Sequence, residues 1–246
     1  MNGVPIEPAD HYLASSVASS AAELLVSFRN RSPDLALDEA DRRSHDHIIK
    51  ELAAQRPGDA VLSEEAATDE HRLSASRVWV IDPLDGTREY RERRNDWAVH
   101  VALVTDGTPV AGALALPGFG CTIATFPPPT TRGRSGVPLR MVVSRTRPPK
   151  VATMVAESLG ATIVPMGSAG AKAAAVIFGD ADIYLHAGGQ YEWDSAAPVA
   201  VAIAAGLHAS RIDGTRLVYN QPDPWLPDLL ICRQELAATV FVHTQS

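Results

Sequence analysis

The sequence predicts a layered α/β protein built from two packed sub-domains. Helical apolar spacing dominates the first fifty-odd residues, and continuous β-rich runs ending in acidic turns follow. Beyond a Pro/Gly/Ser-rich stretch, strands and helices alternate. That stretch, Pro127 to Gly136, is the best flexible boundary. It gives an N-terminal α+β sub-domain over 1–135 and a C-terminal α/β sub-domain over 136–246.

Taken in order, Asp10 can cap a helix carrying Leu13, Val17, Leu24, Leu25 and Phe28 near helical spacing. A second helix covers Glu39 to Gln55, turns Ile48, Ile49 and Leu52 inward, and stops at Pro57-Gly58. Ala60 to Leu62 reads as a strand. Val78 to Ile81 is apolar throughout, as in a central strand buried on both faces. Trp97 to Val104 and Pro109 to Leu116 flank Asp106-Gly107, which reads as a hairpin turn. A further strand is expected near Cys121 to Phe126. In the second half, Leu139 to Val143, Ile163 to Pro165, Ala181 to Leu185 and Leu207 to Ser210 read as strands. Pro149 to Leu159, Gly167 to Phe178 and Ser195 to Ala205 read as helices, with Gly160 and Gly206 as stops.

A chain of 246 residues can bury a sizeable core. Its net charge of −7 argues against a nucleic-acid polymer as partner, because such binding needs basic surface. A small anionic substrate stays open, since local field outweighs net charge there. No run approaches the ~18 apolar residues of a membrane span. The start lacks the pattern of a secretory signal, so a cytoplasmic enzyme is expected. Cys121 and Cys232 are expected as free thiols.

Three acidic islands carry the chemistry: Ser63-Glu64-Glu65, Asp82-Pro83-Leu84-Asp85-Gly86-Thr87 and Glu192-Trp193-Asp194. Pro83 is expected to end the strand before it, and Gly86 permits a tight turn, so Asp82 and Asp85 can point at one spot. Two carboxylates ~4 Å apart repel by roughly 4 kcal/mol at an effective dielectric of 20, so several together need a cation. Hard oxygen donors select Mg²⁺, Mn²⁺ or Ca²⁺. Taken singly, each island also reads blandly, as a surface turn, an acidic patch, or an N-cap formed by Asp194.

Together and in this order, the islands resemble the signature of the lithium-sensitive, Mg²⁺-dependent phosphomonoesterases of the inositol monophosphatase-like superfamily. The matching features are an EE pair, DPxDGT, and WDxxA with a Gly after its helix, here Gly206. The resemblance covers nearly the whole chain and implies an αβαβα sandwich. It implies metal ligation by Glu64, Asp82, the Leu84 carbonyl, Asp85 and Asp194. Two or three Mg²⁺ ions are implied, with Mn²⁺ able to substitute and Li⁺ and Ca²⁺ expected to inhibit. Two ions would clamp the attacking and leaving oxygens of a phosphoryl transfer. The resemblance gives Glu64, Thr87 and Asp41 catalytic roles, with Thr87 and Asp41 orienting a water. Asp41 stands in LALDEAD, where the family reads closer to D-x-V-T-x-x-D, and a first-turn helix acid explains it equally well. Backbone N–H groups of Gly86 and Thr87 would face the phosphate. The family often forms dimers, so a homodimer is an expectation.

Within the superfamily the chain resembles the CysQ or 3′(2′),5′-bisphosphate nucleotidase branch. Arg88-Glu89-Tyr90 after DGT, Val143-Ser144-Arg145, Gly167-Ser168-Ala169-Gly170-Ala171-Lys172 and Glu192 before Trp193-Asp194 carry that likeness. Ala187 stands where inositol phosphatases more often have a Glu. Arg88, Ser144, Ser168, Lys172 and Glu192 are thus the implied substrate residues, Lys172 for a second anion. The implied reaction removes the 3′-phosphate of 3′-phosphoadenosine 5′-phosphate, or of its 5′-phosphosulfate, clearing a by-product of sulfate assimilation. The same metal chemistry on inositol monophosphate or fructose 1,6-bisphosphate is the first alternative, and an inactive nucleotide-binding regulator the second. Gln221 departs from the Lys of the branch's C-terminal segment. For Tyr191 and Trp225, core or lid packing is expected over stacking on a base. Strand packing is expected for His100 and His186, surface for Arg145, and a solvated face for His45 and His47.

Overall fold

The computed structural model describes residues 7–31, 37–66, 70–132 and 138–244. The expected boundary between residues 135 and 136 falls outside them. The first half contains α1 (Pro8–Arg31), α2 (Leu37–Gln55), β1 (Ala60–Ser63), β2 (Val78–Asp85), α3 (Thr87–Arg91), β3 (Ala98–Thr105), β4 (Thr108–Leu116) and β5 (Cys121–Ala124). The second contains β6 (Arg140–Ser144), α4 (Lys150–Leu159), β7 (Thr162–Met166), α5 (Ala169–Ile177), β8 (Ile183–Tyr191), α6 (Glu192–Ala204), β9 (His208–Ser210), β10 (Trp225–Cys232) and α7 (Ala237–Thr244).

The strands form two five-stranded mixed sheets, ordered β1-β2-β3-β4-β5 and β7-β6-β8-β10-β9. Side-chain alternation along each strand sorts the core into layers. On one face of the first sheet Trp79, Ile81, Val99, Val101 and Leu103 pack with Leu13, Val17, Leu25, Ile48 and Leu52 of α1 and α2. On the other face Val78, Val80, Ala102 and Leu114 meet the small residues of α5 and α6, which also cover Val142, Tyr184, Leu229 and Ile231 of the second sheet. The far face of that sheet, through Met141, Val143, Ile183 and Leu230, packs on α4 and α7. The order is helix, sheet, helix, sheet, helix, the αβαβα sandwich that the family resemblance implied.

Alanine in α5 and α6 is what allows two sheets to share one helical layer. At Gly112 of β4 an added Cβ would lie 3.2 Å from Ala200 Cβ, so the helix rides close to the sheet. The Asp106-Gly107 turn has φ of 48° and 69°, the left-handed pair that a two-residue hairpin needs.

Several expectations need correction. Asp10 lies inside α1, and its buried carboxylate takes the Glu7 N–H and pairs with Arg56 and Arg77. Strand β2 is not ended by Pro83 and runs on to Asp85. β8 extends past Leu185 to Tyr191, because β10 pairs with it along its length. α3, α7 and β10 carry no strong local pattern in the sequence; β10 in particular is defined by long-range pairing. Both cysteines are free thiols. Among the described residues, no helix is long and apolar enough to cross a membrane.

Candidate active site

The strand does not stop at Pro83 because it bulges there. Asp82 pairs with His100 and Asp85 with Ala98, so three steps along β2 match two along β3. In a regular strand, residues three apart point to opposite faces. The extra residue brings Asp82 and Asp85 back to one face, and the missing N–H of Pro83 falls where the ladder is already interrupted. Gly86 follows at φ 89°, with Ser168 Cβ 3.0 Å from where its own Cβ would stand, and starts α3.

The third acid arrives from the other half of the chain. Asp194 sits at the third position of α6, not at its N-cap, and accepts the Tyr191 N–H at 2.6 Å. One carboxylate oxygen from each of Asp82, Asp85 and Asp194 lies within 4.8 Å of the other two. Asp85 is held from several sides. It accepts Ser168 Oγ at 2.7 Å, the Ala169 N–H at 3.1 Å and the Gly170 N–H at 2.7 Å, and His100 Nε2 lies 3.0 Å away. His100 is fully buried and its Nδ1 meets the Trp193 carbonyl at 3.1 Å. It therefore does more than fill the strand interior. No motif spacing marks it in the sequence.

The charges do not balance without a cation. Burial, then repulsion from Glu64, Asp85 and Asp194, pushes Asp82 well above the carboxylate range. Glu64 is exposed and does not join the three converging carboxylates, yet partial desolvation of its carboxylate and then the charges of Asp194, Asp85 and Glu65 push it up to about 7, although a hydrogen bond with Asp82 opposes this. Asp194 rises to about 6 through burial and Asp85. Asp41, 6% exposed, rises to about 8 through burial and the nearby Glu65, Glu64 and Asp38, and its Oδ1 has no hydrogen-bond partner. Burial would raise Asp85 too, but His100, Lys172 and Ser168 hold it far below the usual range. A cluster of buried carboxylate oxygens with one orphaned acceptor beside it fits a hard divalent cation.

Thr87 Oγ1 donates to the Leu84 carbonyl at 3.2 Å. A cleft of about 560 Å³ opens over Asp85 and Asp194, and Gly86, Thr87, Arg88, Ser144, Ser168 and Lys172 all line it. Within it Lys172 is buried and Nζ donates to the Gly167 carbonyl at 3.0 Å and to that of Ser168. Burial lowers the Lys172 pKa, against the pull of Asp85 and Glu89. Ser144 Oγ accepts the Arg147 N–H at 3.2 Å. Glu192 does not reach the cleft. Its buried carboxylate takes the Asn220 and Gln221 N–H groups at 2.6 and 2.8 Å, and Arg72 ties the same segment through Asn220 Oδ1. Arg145 is no free surface cation, since it pairs with Glu89 and Glu92 at 2.6 Å on the wall of the cleft. Tyr191 and Trp225 are half exposed on that wall, not in the core. His186 also lines it, with Nε2 2.9 Å from the Gly189 carbonyl. His45 and His47 are half-buried, and each meets a different serine, Ser63 and Ser20, so the two rings are engaged separately.

The chain is similar to known proteins in both sequence and fold. The model of the "Inositol monophosphatase family" matches residues 13–244. A Mycobacterium leprae protein named 3′-phosphoadenosine 5′-phosphate phosphatase is 48% identical over 94% of this chain and 92% of its own. A Mycobacterium bovis protein of the same name is 54% identical over 80% of this chain and 77% of its own. The crystal structure of CysQ from Bacteroides thetaiotaomicron superposes with a TM-score of 0.77 at 25% identity, covering 92% of this chain and 97% of that one.

Proposed function

The chain belongs to the inositol monophosphatase family, and from that premise we propose that it is a Mg²⁺-dependent phosphomonoesterase acting on 3′-phosphoadenosine 5′-phosphate. It removes the 3′-phosphate, and that of the 5′-phosphosulfate analogue, to leave AMP or the phosphosulfate and inorganic phosphate. The observation that carries the reading is the convergence of Asp82 and Asp85 from the first sheet with Asp194 from α6. The relatives named for this substrate support the choice of ester.

Glu64, Asp82, the Leu84 carbonyl, Asp85 and Asp194 would hold two or three Mg²⁺ ions. Bound there, such ions supply Lewis acidity that lowers the pKa of a coordinated water and offsets charge on the phosphoryl group. The remaining work falls to the chain. Thr87 and Asp41 orient the attacking water, with the unpartnered Oδ1 of Asp41 as a hydrogen-bond acceptor for it. The Gly86 and Thr87 N–H groups receive the phosphate oxygens. Ser168, the Gly170 N–H and His100 fix Asp85. Lys172 and Arg88 supply positive field for the second anion, Lys172 while pinned to its loop. Ser144 offers a hydroxyl on the cleft wall. Glu192 acts at a distance, by holding the 220–221 segment. Attack forms a P–O bond to the water oxygen and the bond from phosphorus to the 3′-oxygen breaks; the water releases one proton to solvent, and the 3′-oxygen takes one from solvent to leave as the ribose hydroxyl.

The test is phosphate release with Mg²⁺ from 3′-phosphoadenosine 5′-phosphate, inositol 1-phosphate and fructose 1,6-bisphosphate side by side. The expected result is a kcat/KM at least about tenfold higher for the nucleotide, a difference of ~1.4 kcal/mol in transition-state binding. A preference for inositol or sugar ester, or equal values, overturns the substrate assignment while leaving the metal chemistry.

A further inference from the structure

We infer that Tyr191 and Trp225 form an aromatic shelf on the cleft wall that receives the planar base of a nucleotide ligand, an inference that rests on the nucleotide reading above. The two residues face each other as partners across the β8–β10 ladder. They are 46% and 48% exposed, while Trp79, Trp97, Tyr90, Tyr184 and Tyr219 are all buried. The other exposed aromatics, Tyr12, Phe119 and Phe126, lie outside this cleft. Large aromatic surface left open beside a polar, charged cleft marks a place where an apolar, flat group docks.

The shelf is built and not merely exposed. Trp193 backs Tyr191 from one side, with ring centroids 4.7 Å apart and planes 11° from parallel. That contact covers one face of the phenol ring and leaves the other for a ligand. The indole of Trp225 rests against the backbone at Gly189, where φ is 97° and an added Cβ would stand 2.6 Å from Trp225 Nε1. The glycine is thus required twice, by its backbone angle and by the ring pressed on it. Gln190, next to Tyr191 on β8, also lines the cleft, 7% exposed, and its Nε2 donor has no hydrogen-bond partner. A buried donor left unmatched is unfavourable, and a ring nitrogen, exocyclic oxygen or ribose hydroxyl of the ligand would satisfy it. Stacking supplies affinity that is tolerant of which base is bound, and the amide supplies direction.

Two ligands that differ only by the base isolate the shelf: AMP and ribose 5-phosphate. Equilibrium binding of each to the full chain with Mg²⁺, by calorimetry, is the measurement. The wild type is expected to bind AMP at least about tenfold tighter than ribose 5-phosphate. Trp225→Ala and Tyr191→Ala should each lose about tenfold for AMP and leave ribose 5-phosphate unchanged, and Trp225→Phe should restore most of the loss. Gly189→Ala should behave like Trp225→Ala by displacing the indole. No preference for AMP in the wild type, or equal loss for both ligands, overturns the shelf. Binding is read apart from turnover, so the two readings fail separately. AMP selectivity without nucleotide hydrolysis keeps the shelf and removes the activity. Nucleotide hydrolysis with AMP affinity unchanged in Trp225→Ala and Tyr191→Ala does the reverse.

Discussion

Ser168 Oγ donates to Asp85 Oδ2 at 2.7 Å and accepts the Ala171 N–H at 2.9 Å, so one hydroxyl both caps α5 and fixes a carboxylate of β2. The bond joins the first sheet to the helical layer beneath the second. With the Ala169 and Gly170 N–H groups and His100, it orients Asp85 and favours its ionised form, while the acids around it are pushed towards protonation.

Ser168→Ala should therefore show two effects. Loss of the cap should lower stability by about 1 kcal/mol. Loss of the Asp85 contact should raise the Mg²⁺ concentration for half-maximal phosphate release several-fold. Thermal melts with a Mg²⁺ titration separate them, and an unmoved Mg²⁺ midpoint would reduce Ser168 to a helix cap.

Asp82→Asn should abolish turnover, by about a hundredfold or more, yet stabilise the chelated protein. Asp82 is buried among Glu64, Asp85 and Asp194, and removing its charge relieves their repulsion. Wild-type protein should melt lower in EDTA than in excess Mg²⁺, since a ligand at a hundred times its Kd adds about 2.7 kcal/mol. The variant should melt higher than wild type in EDTA and respond little to Mg²⁺. A full Mg²⁺ response in Asp82→Asn would remove Asp82 from the ligand set.

Lys172→Met tests whether Nζ serves the substrate or only its own loop. Losing its bonds to the Gly167 and Ser168 carbonyls should cost about 2 kcal/mol of stability. If its charge also reaches the second anion, KM should rise several-fold more for a bisphosphate than for a monophosphate. Equal changes would confine Lys172 to the loop.

Acid stability should depend on Asp10, far from the site. Burial acts to raise its pKa, but hydrogen bonds from Arg77, the Glu7 N–H and Arg56 override this and hold it below the usual value. A depressed carboxylate contributes stability that is present above the unfolded pKa near 4 and lost as pH falls through the folded one. Asp10→Asn should be about 2 kcal/mol less stable at pH 6, short of the fully buried range because both guanidiniums keep some solvent contact. The gap should close as pH falls below about 4. Denaturant melts across pH 3–6 would show it, and a constant gap would mean the loss is packing and not charge.

Most elements were legible because their causes are local. The apolar spacing of α1 and α2, the Asp106-Gly107 turn and the glycine after α4 each depend on a few neighbouring residues. The bulge at Pro83 was not legible, because a proline among apolar residues reads as a stop unless the partner strand is known. Glu192 looked like a substrate residue from its place beside Trp193-Asp194. Only the approach of residues 220 and 221 shows that its oxygens are already engaged. His100 carries no motif, and its importance comes from the Asp85 carboxylate, which the bulge in β2 brings within 3.0 Å of its Nε2.

By itself the sequence determined the acidic islands, the turn chemistry that shapes them and the layered α/β class, since composition and short-range sterics decide these. Tertiary structure alone decided which acids share a site, which cations reach the cleft and which aromatics stay open to it. Those outcomes depend on α5 and α6 packing between two sheets, and that packing brings together residues as distant as Asp85 and Asp194.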